Sequence, residues 1–343
     1  MREHIFYNAI NSALESNYGK LLKFLEKFRL WETSWNHLDV AKRQGINPET
    51  EWRRLEKLGI ELILQDDEKF PAILKEIPLP PFGIYLRGLL PINEFSLAII
   101  GTRKASNEGK GIAKRFSREL AEKNFAIISG LALGIDAAAH DGCLDVEGKT
   151  VAVLANGLDS IYPKTHHSLA KKILNKNGAL ISEYPPGAPP FPPRFLERNR
   201  IISGLARGTL VVEAPERSGS LATARFAIDQ NREVFVIPGS ISSQNFLGSN
   251  RLIRSGAQLV TRLEDILETF GIEIKAKAAE VIRLESDEER LIYAALQSIS
   301  HPADVEAIME ITNLTVAEAN TTLSFLIVKN IVKETEGGYT LEK

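Results

Sequence analysis

The sequence predicts an α/β fold in which an open, doubly wound and mostly parallel sheet lies between a helical N-terminal domain and a C-terminal winged-helix domain. Three observations predict it. Short β-rich apolar runs alternate with amphipathic helices between residues 96 and 262, apolar residues recur at helical spacing before that segment, and three helical patterns with a pair of strands follow it. The chain has 343 residues, more than one ordinary domain of about 100–200 residues, so we expect two or three domains.

The first domain is predicted over residues 1–69. Apolar residues between positions 5 and 64 recur at intervals of three and four, which indicates several short helices, and Gly45 and Gly59 stand where helices would end. Five prolines between positions 70 and 91 are incompatible with one long helix. We therefore expect an extended connector there, at the start of the second domain.

The second domain is predicted over residues 70–272. Each of its short apolar runs is followed by a glycine-containing turn and an amphipathic helix, which predicts parallel βαβ units. The binding crevice of such a sheet lies at the carboxyl ends of the strands, where a proline-rich loop at 184–193 also falls. About seven strands are expected, at 97–100, 126–129, 151–154, 179–182, 209–213, 234–237 and 258–260.

A Lys/Ala/Glu-rich linker at 273–284 precedes a third domain at 285–343. Helical patterns at 286–298, 302–311 and 316–329, with a pair of strands around Gly337 and Gly338, are typical of a winged helix. A helix that reads the major groove of duplex DNA presents Arg, Lys, Asn or Gln near its start, whereas the last of these helices has no cation before Lys329. We therefore predict that this domain contacts protein or regulates the central domain.

Composition excludes several classes of protein. No window of about 18 uncharged apolar residues is present, and the N-terminus MREHIFYNAI lacks the segments of a signal peptide. The single cysteine, Cys143, cannot form an intramolecular disulfide, and the six histidines are scattered, so no Cys/His zinc site is expected. We expect a cytoplasmic protein with no membrane segment, no metal and no cofactor.

The net charge of −2 is unevenly distributed. Residues 1–95 carry 13 Lys+Arg against 14 Asp+Glu, residues 96–262 carry 22 against 14, and residues 263–343 carry 7 against 16. The basic central segment favours an anionic partner there, and a solvated basic face is the alternative.

The turn after the first strand of the second domain contains Gly101, Thr102 and Arg103. Backbone N–H groups of such a turn, together with the N-terminus of the next helix, can hold a phosphate, and Arg103 adds a forked cation. Neither the dinucleotide fingerprint G-x-G-x-x-G nor the P-loop is present. We expect an anion site without a dedicated nucleotide, and a solvated Arg103 beside a tight turn is the alternative.

Asp136 and His140 lie four residues apart at the start of a predicted helix. This spacing puts both on one helical face, as in an acid/base pair or half of a metal site. No third ligand or nucleophile accompanies them locally, so we favour the alternative of a structural hydrogen bond or helix cap.

Cations and aromatic residues alternate near the carboxyl ends of the strands. The cations are Lys164, Arg194, Arg198 and Arg200, and the aromatic residues among them are Tyr162, Phe191 and Phe195. This combination suits single-stranded nucleic acid, whose phosphates pair with cations while its unstacked bases lie on rings. Burial of the rings in the core is the alternative. A further turn with Ser218, Gly219 and Ser220 offers a helix cap and a close backbone approach.

These motifs follow one another in a recognisable order: Gly101-Thr102-Arg103, Ser129-Gly130-Leu131-Ala132, Gly157-Leu158-Asp159, Tyr162-Pro163, Phe195, Arg198-Asn199-Arg200, Ser218-Gly219-Ser220 and Pro238-Gly239. The succession resembles the bacterial DNA-processing protein A family, also called DprA or Smf, over about residues 70–262.

The resemblance implies a Rossmann-like central domain that binds single-stranded DNA, with a SAM-like helical domain before it and a winged-helix domain after it. It also implies a homodimer without catalytic turnover, which loads the RecA recombinase onto incoming strands in natural transformation and helps displace single-strand-binding protein. By position, the family's basic pocket corresponds to Arg103 and Lys164, with Arg198 and Arg200 as a cationic wall. With the turns above, the expected DNA-binding residues are Gly101, Thr102, Arg103, Lys164, Arg194, Arg198, Asn199, Arg200, Ser218, Gly219 and Ser220.

Two other functions remain open from the residues. The lysine-decarboxylase-like phosphoribohydrolases, which share a Rossmann-like fold, cleave a nucleotide N-glycosidic bond and carry the segment P-G-G-x-G-T-x-x-E. The nearest run here, Pro238-Gly239-Ser240-Ile241, lacks the catalytic glutamate. A nucleotide-binding protein that uses the same crevice is the second alternative.

Overall fold

A computed structural model describes residues 1–91, 95–272, 284–299, 301–335 and 337–341. The chain divides into two compact units, residues 1–271 and residues 272–343. The boundary expected between residues 69 and 70 falls inside the first unit. Residues 273–283 of the expected linker lie outside the described residues.

The N-terminal part of the first unit is helical, as expected. Its helices are α1 (Arg2–Ala13), α2 (Tyr18–Phe28), α3 (Trp31–Asn36), α4 (Val40–Arg43) and α5 (Pro48–Leu58). Local signals set their ends. The side chain of Asn17 accepts a hydrogen bond from the backbone N–H of Lys20 at the start of α2, and Gly59 ends α5 at a φ of +62°, which favours glycine.

The central sheet has nine strands in the order β1-β2-β6-β5-β4-β3-β7-β8-β9. They are β1 (Glu61–Leu64), β2 (Gly83–Gly88), β3 (Ser96–Ile100), β4 (Ala126–Ser129), β5 (Thr150–Leu154), β6 (Ala179–Ser182), β7 (Gly208–Val211), β8 (Glu233–Val236) and β9 (Gln258–Leu259). Strands β3 to β9 are parallel, β2 is antiparallel to β6, and β1 is antiparallel to β2. The prediction of a mostly parallel, doubly wound α/β sheet is confirmed.

The seven parallel strands lie where they were predicted, whereas the two antiparallel strands at one side of the sheet, β1 and β2, were missed. Residues 61–64 were assigned to the helical domain and residues 83–88 to the connector. A short run such as ELIL does not distinguish strand from helix by periodicity. Residues 83–88 contain no proline but lie between Pro81 and Pro91, so the sequence predicts a connector over the whole stretch.

Helices cover both faces of the sheet. They are α6 (Ala72–Lys75), α7 (Asn107–Glu122), α8 (Ile135–Asp145), α9 (His167–Asn175), α10 (Pro192–Gly204), α11 (Gly219–Asp229), α12 (Leu247–Arg254) and α13 (Leu263–Thr269). On one face, Tyr7 and Ile10 of α1 share a buried core with Leu154 and Leu180 of the sheet. The N-terminal helices are therefore packed directly on the sheet.

The strand order identifies the edge at which a ligand site is expected. After β3 the chain adds β4, β5 and β6 in one direction, and β7 then returns to the other side of β3. Crevices in open α/β sheets lie outside the carboxyl ends of the strands at such a reversal. The carboxyl ends of β3 and β7 therefore mark the candidate site.

The second unit contains α14 (Asp287–Ser298), α15 (Val305–Thr312) and α16 (Val316–Val328), followed by the antiparallel strands β10 (Val332–Thr335) and β11 (Gly338–Leu341). Its core includes Ile292, Ile308 and Leu323. The elements lie close to the predicted positions. In the part of the chain that the structure describes, no helix is both long and apolar enough to span a membrane.

Candidate nucleic-acid interface

A cavity of about 360 Å³ lies at the carboxyl ends of β3 and β7. The structure brings eight of the expected site residues to its walls: Gly101, Thr102, Arg103, Arg198, Asn199, Ser218, Gly219 and Ser220. We call this cavity the groove. The other three expected residues, Lys164, Arg194 and Arg200, do not line it.

The turn after β3 holds Arg103 at the rim of the groove. A Cβ atom on Gly101 would lie 2.5 Å from Cγ1 of Ile135, so the backbone passes where only glycine fits. The N–H of Thr102 donates to the carbonyl oxygen of Glu213 at 2.7 Å, which ties this turn to the end of β7. Arg103 itself is exposed to solvent.

The N-terminus of α7 is filled by a side chain of the protein. The buried carboxylate of Glu213 accepts from the N–H of Ser106 at 2.9 Å, from the Ser106 hydroxyl, and from Nδ2 of Asn245 at 3.1 Å. A Cβ on Gly109 would lie 2.3 Å from the carboxylate carbon, so glycine makes room for it. The carboxylate of Glu213 therefore occupies the N-terminus of α7, where a phosphate was expected from the sequence. Arg103 remains available as the cation of the turn.

Arg198 is buried beneath the groove. Its Nη1 donates to the carbonyl oxygens of Gly130, at 2.9 Å, and Val153. Burial lowers the pKa of Arg198 to about 10, and the nearby carboxylate of Asp136 opposes that shift. Burial likewise raises the pKa of Asp136, which Arg198 opposes. The two side chains therefore compensate each other's buried charge.

Asp136 and His140 have separate structural partners. Asp136 accepts from the backbone N–H groups of Gly130 at 3.1 Å and Ala132 at 3.3 Å. His140 is fully buried, and its Nδ1 lies 2.7 Å from the hydroxyl of Thr150. The structural alternative favoured by the sequence analysis agrees with this arrangement. Among the described residues, no group of three or more His, Cys, Asp or Glu side chains is placed to hold a metal ion.

The ring of Phe195 connects the groove with the neighbouring loop. The guanidinium carbon of Arg103 lies 5.1 Å from the ring centroid, and that of Arg198 lies 6.0 Å from it. The ring of Tyr162, which is 42% exposed, lies 5.5 Å from Phe195 between centroids. Lys164 is exposed two residues further along the chain. Cations and accessible rings therefore alternate along this edge, and Tyr162 is not a core residue.

Arg194 and Arg200 hold the N-terminal helices and the proline-rich loop in place. Arg194 donates from Nη1 to the carbonyl of Pro189 at 2.8 Å and from Nη2 to the carbonyl of Glu15 at 3.4 Å. Nη2 of Arg200 donates to both carboxylate oxygens of Glu183, at 2.7 and 2.9 Å, and the two side chains are 7% and 10% exposed. The geometry gives both arginines a structural role.

The turn before α11 forms the opposite wall of the groove. The N–H of Ser220 donates to Oγ of Ser218 at 3.3 Å, and a Cβ on Gly219 would meet open space. Nδ2 of Asn199 donates to the carbonyl of Gly219 at 3.4 Å, which joins α10 to this wall. The wall therefore offers small residues and backbone groups to a ligand.

Arg217 also lines the groove and was missed as a site residue in the sequence analysis. It is exposed, and no carboxylate within the described parts of the chain pairs with it. Arg217 directly precedes Ser218 in a turn that the sequence already assigned to the site, and this position could have identified it as a site residue. Among the described residues that line the groove, three arginines face one carboxylate, that of Asp136, so the groove favours an anion.

Comparisons with known proteins agree on one family. The family model described as DNA recombination-mediator protein A matches residues 61–271. Protein Smf of Escherichia coli is 38% identical over 304 residues, which cover 87% of this chain and 81% of that protein. DNA processing protein DprA of Bacillus subtilis is 38% identical over 269 residues, which cover 78% of this chain and 81% of that protein.

Solved structures give the same result. DNA processing protein A of Streptococcus pneumoniae is similar with a TM-score of 0.62 at 34% identity, covering 76% of this chain and 95% of that one. DNA processing protein A from Helicobacter pylori, whose structure is described as showing a single-stranded DNA binding mode, is similar with a TM-score of 0.56 at 29% identity, covering 62% and 95%. The chain therefore belongs to the DNA recombination-mediator protein A family.

Proposed function

We propose that this protein binds single-stranded DNA in the groove and acts as a recombination mediator. The observation that carries the proposal is the pair of guanidinium groups on the ring of Phe195, one exposed on Arg103 and one buried on Arg198, at the switch point of the sheet. Arg103 meets a phosphate at the rim, while Arg198 offsets the charge of Asp136 at the floor of the groove. Lys164 and Arg217 extend the cationic surface on either side.

The accessible rings favour single strands over duplex. Unstacked bases can lie on the exposed ring of Tyr162, whereas the bases of a duplex are stacked on each other and do not present their faces. Neither phosphate pairing nor stacking reads base edges, so we expect little sequence preference. Affinity falls steeply with salt because phosphate neutralisation releases counterions.

The relative from Helicobacter pylori supports the ligand, since its structure is described by a single-stranded DNA binding mode. From the family resemblance we also propose that a homodimer loads RecA onto incoming single strands, displaces single-strand-binding protein, and works in the cytoplasm in natural transformation. The DNA-contacting residues that we propose are Gly101, Thr102, Arg103, Lys164, Arg198, Asn199, Arg217, Ser218, Gly219 and Ser220. Arg194 and Arg200 act by supporting this surface.

A binding role without catalytic turnover is also part of the proposal. A hydrolase of N-glycosidic bonds needs a free carboxylate at the reacting carbon. Asp136, the carboxylate at the groove, is held by two backbone N–H groups and lies beside Arg198, and Glu213 is committed to Ser106 and Asn245. These commitments favour binding over hydrolysis.

For the second unit we propose a winged-helix domain that contacts protein. The expected recognition helix, α16, exposes Val316, Phe325 and Val328, and the ammonium group of Lys329 at its end donates to Glu285 and Glu289. Phe325 and Val328, three residues apart on one side of α16, form an exposed apolar surface, which suits a protein partner better than the phosphates of duplex DNA.

The test is a fluorescence-anisotropy titration with labelled oligo-dT, with duplex of equal length, and with free nucleotides. The proposal expects salt-sensitive binding to oligo-dT that exceeds binding to both competitors. Tighter binding to a mononucleotide would instead favour the nucleotide-binding alternative. RecA filament assembly on strands covered with single-strand-binding protein then tests the mediator role, which fails if the protein does not accelerate assembly.

A further inference from the structure

Helix α2 presents three lysines on one solvent-exposed face. Lys20, Lys23 and Lys27 are spaced i, i+3 and i+7, so that their side chains lie along one side of the helix. Within the described parts of the chain, none of the three ammonium groups pairs with a carboxylate, and that of Lys27 lies 5.1 Å from the ring centroid of Phe28. We call these residues the lysine face.

Like charges at these spacings destabilise a helix, so the lysine face gains from an anion that lies along it. A single phosphate would neutralise one of the three charges. A polyanion with regularly spaced charges would neutralise all of them at once, which is the chemistry of a nucleic-acid backbone.

The start of α2 lies at the same edge of the sheet as the groove. Glu183 directly follows β6, and its carbonyl accepts from Nδ2 of Asn11 at 3.2 Å. The carbonyl of Glu15 accepts from Arg194, and the ring of Tyr18, the first residue of α2, lies 5.7 Å from the guanidinium carbon of Arg200. Helix α10 thus contributes Phe195 and Arg198 to the groove and also supports the start of α2.

The cationic residues follow the strand order. The groove lies over β7 and β3, Tyr162 and Lys164 follow β5, and the contact between Asn11 and Glu183 follows β6. The start of α2, the helix that carries the lysine face, therefore lies next along this edge. Because the groove is a cavity of only about 360 Å³, a strand longer than a few nucleotides must leave it across the protein surface.

We propose that single-stranded DNA which leaves the groove is held by the lysine face of α2, through its phosphates alone. This inference rests on the proposed function of the groove, and it assigns a second DNA contact to the N-terminal helices. It predicts that the lysine face acts only on strands long enough to reach it.

The experiment compares two triple variants of the full chain, Lys20→Gln/Lys23→Gln/Lys27→Gln and the matched control Lys57→Gln/Lys75→Gln/Lys123→Gln. The control lysines are exposed and lie near the opposite, amino ends of the strands, at the end of α5, in α6 and after α7. Both variants remove three charges. Anisotropy titrations use labelled oligo-dT of about 8 and about 30 nucleotides over a salt series, the shorter being within the usual range of single-strand site sizes.

For the long oligonucleotide, the lysine-face variant should bind more weakly, and its log–log salt slope should be smaller by about 2, which is about 0.7 for each cation lost. Short-oligonucleotide binding should equal that of wild type, and the control variant should match wild type with both. Each single lysine variant should lower the slope by about one third of the triple effect. A thermal unfolding transition at or above the melting temperature of wild type confirms that the variants are folded.

Equal long-oligonucleotide slopes for the two triple variants would overturn the inference. A loss of equal size with both oligonucleotides would overturn it too, because the lysines would then act on the groove rather than beyond it. Failure of the wild-type protein to bind the short oligonucleotide is a different result, which contradicts the proposed function of the groove.

Discussion

The guanidinium carbon of Arg103 lies 5.1 Å from the centroid of the Phe195 ring, and this ring, rather than a carboxylate, holds the arginine in place. A cation on an aromatic face keeps its full charge and its N–H donors for a ligand, which an ion-paired arginine does not. Arg200, only two residues from the buried Arg198, illustrates the contrast, since Glu183 occupies it with two hydrogen bonds.

Replacing Phe195 by alanine should weaken single-strand binding by about 2- to 30-fold, because the variant loses the cation–π contact of about 0.5–2 kcal/mol that holds Arg103 in place for a phosphate. The salt slope should stay unchanged, since no charge is removed. Anisotropy titrations of oligo-dT at several salt concentrations measure both quantities. Phe195→Tyr, which keeps the ring, is the control and should bind as wild type does; equal losses in the two variants would argue against the ring as the support of Arg103.

Removal of Arg200 should destabilise the protein rather than remove a DNA contact. Breaking a buried ion pair by deleting one partner costs about 3–5 kcal/mol, because the other charge is left buried and unpaired. Arg200→Ala should therefore lower the melting temperature by about 10 °C in calorimetry. The folded variant should still bind oligo-dT with the salt slope of the wild type.

The control is Lys69→Ala, which breaks the exposed pair of Lys69 with Glu61 and should leave the melting temperature nearly unchanged. If Arg200→Ala melted like wild type but lost about 0.7 of the salt slope, Arg200 would be a phosphate contact and its structural assignment would be wrong.

His140 should make stability depend on pH. Burial lowers its pKa from the ordinary value of 6.5 to about 3. The Thr150 hydroxyl donates to the carbonyl of Ile127, so Nδ1 of His140 donates to Thr150. The lowered pKa keeps the ring neutral at neutral pH. Between these pKa values the unfolded chain binds one more proton than the folded chain, so acid favours unfolding.

The free energy of unfolding contributed by His140 should consequently fall by about 1.4 kcal/mol per pH unit between about pH 6 and about pH 4. The measurement is urea denaturation of wild type and His140→Gln at several pH values. The stability advantage of wild type over the variant should shrink as the pH falls. An advantage that stays constant, or grows in acid, would show that His140 is charged in the folded state.

Much of the fold could be predicted from the sequence because parallel strands buried on both faces are short apolar runs, each ending in a glycine turn. The turns at Gly101 and Gly219 could be assigned to one edge for the same reason. Strands β1 and β2 could not be predicted. The run of β1 resembles the end of a helix, and β2 lies between prolines.

The roles of individual arginines could not be predicted. Arg198 and Arg200 are two residues apart, which on a helix separates their side chains by about 200°. One side chain therefore lies beneath the groove and the other faces Glu183 and Tyr18. Spacing alone does not show which of the two arginines faces the groove and which faces Glu183. The same limit applies to Glu213, whose carboxylate fills the N-terminus of α7 only because the fold brings β7 beside β3.

The most direct test of the groove compares Arg103→Ala with Arg115→Ala by anisotropy titration of oligo-dT across a salt series. Arg115 is a matched control, since it too is exposed and lies 5.1 Å from the centroid of a phenylalanine ring, that of Phe116 on α7. Arg103→Ala should bind about 10- to 150-fold more weakly, from a charged hydrogen bond of about 1.5–3 kcal/mol, and lose about 0.7 of the salt slope. Arg115→Ala should match wild type. Equal affinities and slopes for the two variants would contradict the assignment of single-stranded DNA to the groove.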